Sequence, residues 1–241
     1  MHDGKTILIT FEDMDNSHNC LECTRSSKCF KKLVPSELEF INAKKKQIEY
    51  RKGENICKQG AFASYVLYIS EGLVKLYVES VNRKNINIKI LKEGEFIGLS
   101  SIFDDNIYNY SSVALKDSRV CLIEKDGIRR LLENNGIFAS EIIKGYCRNE
   151  KNLFDIIKSI GHKQMPGRIA DALIYLCSED FDGIDVFKYI TRKDIGDFAC
   201  ISKESTVKLL TELKNEGIID TEGKRIQITA PDRLKEISKR G

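Results

Sequence analysis

The chain has 241 residues, 41% hydrophobic and 31% charged, with 39 Lys+Arg against 36 Asp+Glu for a formal charge of +3. That is enough chain for two ordinary domains, and the near-balance excludes a uniformly basic nucleic-acid binder while leaving room for a basic face on one domain. Eight cysteines are too sparse for a disulfide scaffold.

Residues 1–32 read as an N-terminal arm. From Met1 to Asn19, Asp3, Glu12, Asp13 and Asp15 outnumber the single basic Lys5, so the basic start and apolar core of a secretory signal are missing. No apolar run approaches the roughly 18 residues of a membrane span. The expectation is a cytoplasmic protein without a membrane partner, whose thiols are reduced, metal-bound or redox-active. Cys20, Cys23 and Cys29 form C-x2-C-x5-C among Arg25, Lys28, Lys31 and Lys32. Nearby cations favour thiolate, the form that binds metal. Three ligands close neither a tetrahedral site nor a cubane cluster, so a fourth must come from Cys57, Cys121, Cys147, Cys177 or Cys200. The last three read as small buried hydrophobes, and His2, His18 and His162 give no ligand motif.

Residues 33–125 predict a β-rich domain. Runs such as Tyr65–Ser70 and Leu73–Val78 are separated by turns at Gly53, Gly60, Gly72, Gly94 and Gly98. Ile86, Ile88 and Ile90 alternate with Asn87 and Lys89, the period of a half-buried strand. Many short strands with regular glycine turns predict a sandwich or barrel.

Residues 126–162 predict a helical segment. Ile142, Tyr146, Asn149, Leu153, Ile156 and Ile160 recur at heptad-like spacing, with one polar member able to set register between two helices. Met165-Pro166-Gly167 then marks a boundary.

Residues 163–241 predict a compact helical unit with a two-stranded wing. Ile169, Ala170, Leu173 and Leu176 form an amphipathic face. Thr191 to Asp194 has capping-box spacing, and Ser202 caps a helix that ends at Gly217. A turn at Thr221–Lys224 precedes the alternating strand Arg225–Thr229. Helix, tight turn, helix and wing predict a winged helix-turn-helix. Its second helix would enter a DNA major groove. Thr206, Leu209, Leu210 and Leu213 face the core on this reading, leaving Lys203, Glu204, Ser205, Val207 and Lys208 for bases and Lys224 and Arg225 for phosphate. From Thr191 to Gly241 there are 11 Lys+Arg and 9 Asp+Glu, so charge alone lends this little support. No phosphate-binding glycine loop, Ser-His-Asp arrangement or paired-carboxylate motif points to an enzyme.

Arg51-Lys52-Gly53-Glu54 through Gly98, the long helix, Arg168-Ile169-Ala170, Ser202-Lys203-Glu204 and Gly217-Ile218-Ile219 together resemble the Crp/Fnr family of bacterial transcription regulators. The resemblance implies an α+β fold: a β-roll (jelly-roll-like) sensor domain over 33–125, a dimerisation helix over 126–162 and a winged helix-turn-helix over 163–241. It implies a homodimer on pseudo-palindromic double-stranded DNA, in contact with RNA polymerase. Cyclic AMP is not expected: Leu99 follows Gly98 where the cyclic-nucleotide members carry glutamate, and no arginine stands between Arg83 and Arg119 to meet a phosphate. The thiols resemble those of the oxygen-sensing Fnr branch, which implies a [4Fe-4S] cluster on Cys20, Cys23, Cys29 and Cys121. A zinc site, a thiol-redox sensor, a haem or small-molecule effector, and a metal- or thiol-binding protein that does not bind DNA stay open.

Overall fold

The computed structural model describes residues 20–21, 23, 29–80, 85–104 and 106–241. Most of the predicted arm, with His2, His18, Arg25 and Lys28, and also Arg83, lies outside the described residues.

Among the described residues, eight strands build the N-terminal unit: β1 (Lys45–Tyr50), β2 (Asn55–Cys57), β3 (Tyr65–Glu71), β4 (Leu73–Val78), β5 (Ile86–Lys92), β6 (Phe96–Ile97), β7 (Ser111–Ala114) and β8 (Ser118–Glu124). They form two four-stranded sheets, ordered β1-β8-β3-β6 and β2-β7-β4-β5, with antiparallel pairing throughout. Leu67, Ile69, Val74, Leu76, Leu91, Ile97 and Val120 fill the space between the sheets. The β3–β4 connection needs glycine. Gly72 has φ +127°, and a Cβ there would lie 2.1 Å from Ser118 Oγ, so any side chain would be both strained and blocked.

Helix α1 (Pro35–Asn42) precedes β1, inside a stretch whose glycine spacing suggests only strands. Pro35 occupies its first turn, where a missing N–H costs nothing, and the Glu37 carboxylate accepts the Val34 N–H at 2.9 Å. The helical segment expected over 126–162 is two helices, α2 (Lys125–Asn134) and α3 (Gly136–His162). Asn135 leaves helical geometry between them at φ −122° and ψ 93°. Its Oδ1 caps α3 by accepting the Phe138 N–H at 2.9 Å, while its Nδ2 donates to the Glu37 carboxylate at 2.9 Å. With 27 residues, α3 is about 40 Å long at the standard helical rise.

The C-terminal unit contains α4 (Met165–Leu176), α5 (Arg192–Ala199), α6 (Lys203–Asn215), the wing strands β9 (Ile219–Glu222) and β10 (Arg225–Ile228), and α7 (Pro231–Arg240). The capping box read at Thr191 is formed: Thr191 Oγ1 accepts the Asp194 N–H at 3.1 Å and Asp194 Oδ2 accepts the Thr191 N–H at 2.7 Å. Ser202 Oγ caps α6 through the Ser205 N–H at 3.1 Å. Helix α7 carries no strong periodic signal, yet Leu234 is fully buried in the core that holds α4.

Helices α5 and α6 approach closely at Gly196. A Cβ there would lie 2.5 Å from Thr206 Oγ1 and 2.9 Å from the Ile201 carbonyl oxygen. Gly196→Ala is expected to destabilise the protein by about 1–3 kcal/mol through overpacking, despite alanine's better helix propensity. Urea unfolding checks this. A neutral or stabilising result would contradict the contact.

The two units share a core: Leu73, Ile90 and Leu115 of the β-roll belong to the same apolar cluster as Ile169, Leu173, Ile195 and Leu210. This corrects the expected alternation on β5. Asn87 is fully buried, while Ile86 and Ile88 are half-buried. The winged unit covers the outer face of β4 and β5, so that face has no solvent side to hold a polar residue.

Candidate nucleic-acid interface and thiol cluster

Helix α6 presents the residues expected for base contact on its outer side. Lys203, Glu204, Val207 and Lys208 are exposed and Ser205 is half-buried, with Val207 45% exposed. Thr206, Leu210 and Leu213 are buried and Leu209 packs at the edge of the same core. Lys224 and Arg225 are exposed at the wing turn. One residue missed in the sequence joins them: Arg192 Nη2 donates to the Gly223 carbonyl at 3.1 Å, bringing a second guanidinium beside the wing. Its only sequence signal is its place after the Thr191 cap.

The heptad-like seam divides between two faces of α3. Ile142, expected at a subunit interface, is 9% exposed and packs with Phe138 in the apolar cluster of its own β-roll. Asn149 Oδ1 accepts a bond from Lys89 Nζ at 2.9 Å, also from its own chain, and Ile156 is half-buried. Tyr146, Leu153 and Ile160 lie on the exposed side. There they continue a stripe with Ile143, Phe154 and Ile157, which are 60%, 54% and 63% exposed. The sequence allows this stripe because the heptad can be read in two registers. Only the packing of Phe138 and Ile142 selects one.

The cysteines also divide. Cys29 and Cys121 are buried in the apolar cluster containing Phe138 and Ile142, and Cys20 packs against it. Phe30, next to Cys29, lies with its ring centroid 5.0 Å from Tyr68, 5.6 Å from Phe96 and 6.0 Å from Phe138. Phe30, at the end of the arm, is therefore seated between β3, β6 and the first turn of α3. The Cys20 N–H donates to Asn42 Oδ1 at 2.9 Å, and Gln47 Nε2 approaches Cys121 Sγ at 3.6 Å. Burial pushes the Cys121 thiol above its ordinary range; Lys45 opposes this, while Cys20 and Cys23 add to it. Burial likewise raises Cys20, with Lys45 opposing it, so desolvation outweighs that cation there.

Cys29 and Cys121 present two buried thiols in an apolar wall, with a hydrogen-bond donor and a cation beside Cys121. Among the described residues, no group of three or more His, Cys, Asp or Glu side chains is arranged to hold a metal ion. Cys57 lies in the other core, between the sheets, with its Sγ 3.1 Å from Ser112 Oγ. Cys147 and Cys177 are exposed and Cys200 is half-buried, correcting their reading as core residues. Cys200 instead closes the tight turn after α5, with φ +53°.

In the turn at Gly98, two polar contacts are made internally. The Gly98 N–H donates to Tyr110 Oη at 3.0 Å, and Ser101 Oγ donates to the Gly98 carbonyl at 2.7 Å. Among the described residues, no helix is long and apolar enough to cross a membrane.

Two family models match the chain: "Cyclic nucleotide-binding domain" over residues 47–135 and "Crp-like helix-turn-helix domain" over residues 167–237. The chain is 25% identical over 196 residues to the Anaerobic regulatory protein of Bacillus subtilis, covering 78% of this chain and 81% of the relative. It is 24% identical over 186 residues to the cAMP-activated global transcriptional regulator CRP of Salmonella typhimurium, covering 75% and 88%. Its fold is that of FixK2 from Bradyrhizobium japonicum, with TM-score 0.68, 20% identity, and coverage of 80% of this chain and 96% of that one. Sheet topology, the order of helix, turn, helix and wing, and these matches agree: the chain belongs to the Crp/Fnr family of transcription regulators.

Proposed function

We propose that this chain is a homodimeric regulator that reads a pseudo-palindromic DNA site and whose dimerisation is governed by a [4Fe-4S] cluster on Cys20, Cys23, Cys29 and Cys121. The observation that carries the reading is one shared apolar cluster: Cys29, Phe30 and Cys121 pack with Phe138 and Ile142 of α3. Whatever holds the arm there also supports the base of the helix whose far side is an exposed apolar stripe. An iron–sulfur cluster would supply an oxygen-labile tie between arm and roll. Loss of the tie would shift the monomer–dimer balance by the difference in its free energy between the two states. The internally bonded Gly98 turn supports an effector other than a cyclic nucleotide. Contact with RNA polymerase follows from the family's role in transcription.

On α6, Glu204 is suited to accept from a cytosine amino group and Lys208 to donate to guanine. Lys224, Arg225 and Arg192 are suited to phosphates, which position the protein without specifying sequence. Selection of bound sites from random duplexes under anaerobic conditions tests this. Glu204→Ala and Lys208→Ala are each expected to relax preference at one position per half-site, at about 1–3 kcal/mol per lost contact. Lys224→Ala should weaken binding to all sequences alike and flatten its salt dependence. No enriched sequence with or without oxygen would overturn the regulator reading, and an unchanged motif in both α6 variants would overturn the assigned face.

A further inference from the structure

A buried ion pair joins the two domains. Lys75 Nζ, on the outer face of β4, lies 2.5 Å from Asp194 Oδ1 of α5, and the two side chains are only 11% and 14% exposed. Beside it, Asn87 of β5 donates from Nδ2 to the Asp194 carbonyl at 2.9 Å, while its buried Oδ1 has no hydrogen-bond partner among the described residues. Farther along β5, the Ile90 N–H donates to Tyr175 Oη of α4 at 2.9 Å. Leu73, Ile90 and Leu115 surround these bonds within the shared core. Charged residues this buried are uncommon unless paired.

Such a pair contributes little net stability relative to an apolar one, but halving it leaves an uncompensated buried charge. It therefore selects one docking geometry over others. Its location decides what that geometry controls. Asp194 is the third residue of α5 and half of that helix's capping box. Helix α5 meets α6 at Gly196, where Thr206 leaves no room for a side chain. The route from the roll to the reading helix thus runs through rigid elements: β4, the ion pair, α5 and α6.

We propose that Lys75, with Asn87, is a positioning residue that acts through Asp194 to set how the reading helix sits relative to α3, and so the spacing at which a dimer presents its two reading helices. This rests on the reading of the chain as a DNA-binding dimer. Two half-sites on one duplex are engaged together only when both heads are held at the matching separation. The second contact then benefits from a high effective concentration. A head released from the roll must be ordered again at every binding event. A single half-site makes no such demand.

The test uses the full-length protein, anaerobically purified, with its selected palindrome, a duplex carrying one half-site, and palindromes whose spacer is changed by about one or two base pairs. Lys75→Met is expected to lose about tenfold or more on the palindrome and less than about twofold on the half-site. It should also lose discrimination between spacers. Lys75→Arg, which keeps the cation, should retain all three properties. Equal losses on half-site and palindrome, or spacer discrimination unchanged in Lys75→Met, would overturn the proposal. If Lys75→Met does not fold, Asn87→Ala is subjected to the same comparison and judged by the same two results. Should the wild type bind no duplex, the DNA reading itself fails. Spin-label distances between the β-roll and α6 then judge the positioning role: narrow in the wild type and broad in the variant supports it, and narrow in both overturns it.

Discussion

Replacing any one of Cys20, Cys23, Cys29 or Cys121 with alanine is expected to strip the anaerobically purified protein of iron and acid-labile sulfide together. Self-association should weaken in the same variants. The two losses are linked because Cys29 is followed by Phe30, whose ring packs on Tyr68, Phe96 and Phe138. If the arm leaves, Phe138 and the inner side of α3 lose part of their cover. Couplings of this kind amount to about 1–3 kcal/mol, and each 1.4 kcal/mol is about tenfold in a dissociation constant. Metal and sulfide analysis, together with sedimentation velocity, reads both effects. Cys57→Ala should keep its metal content, since its thiol lies between the two sheets beside Ser112. Cluster retained in Cys121→Ala and lost in Cys57→Ala would refute the assignment of the fourth ligand. Metal content at background in the wild type would refute the cluster altogether.

Ile157→Glu should convert the dimer to monomer and cost about a hundredfold or more in affinity for the palindrome, because avidity gains of 10²–10⁴ are lost when two modules no longer act together. Ile157 is 63% exposed at the centre of the apolar stripe with Phe154 and Ile160. A carboxylate there would be buried without a cation at a subunit interface, while the isolated chain tolerates it in water. Thermal unfolding of the monomer should therefore change little, which separates loss of association from loss of fold. Ile142→Glu is the contrasting variant: its side chain lies in the chain's own core, so it should lower stability directly. Sedimentation velocity and duplex titration measure both variants. A dimeric Ile157→Glu would remove the stripe from the interface.

How much was legible in the sequence differs from element to element. The caps of α5 and α6 and the α6 face were legible because they depend on residues within a few positions of one another. Thr191 and Asp194 bond to each other, and Ser202 bonds to the Ser205 N–H. Neither needs knowledge of what packs nearby. The seam on α3 was half legible: a 3.5-residue period announces an apolar helix face, but both faces of α3 carry apolar residues at that period. The break at Asn135 was missed although its cap on the Phe138 N–H is local; the partner of its Nδ2, Glu37, lies nearly a hundred residues earlier. The thiols of the arm were legible as a spacing, and their surroundings were not. Arg25 and Lys28, flanking cations in the sequence, lie outside the described residues, and no local pattern announces the burial that raises Cys20 and Cys121.

By itself, the sequence determined the order of β-domain, long helix and winged unit, the polar outer face of α6, and the cysteines available in the arm. Each follows from local propensity and periodicity, which act over a few residues. The tertiary structure alone decided which side of α3 remains open, that Cys121 rather than Cys57 shares a cluster with Cys20 and Cys29, and that Lys75 and Asn87 are interior residues. On a strand read alone, a lysine or asparagine at an alternating position signals solvent. Here the winged unit covers that face, and Asp194 supplies a charge and a carbonyl in place of water. No local pattern encodes that partner, because it lies more than a hundred residues away and is met only when the two domains dock.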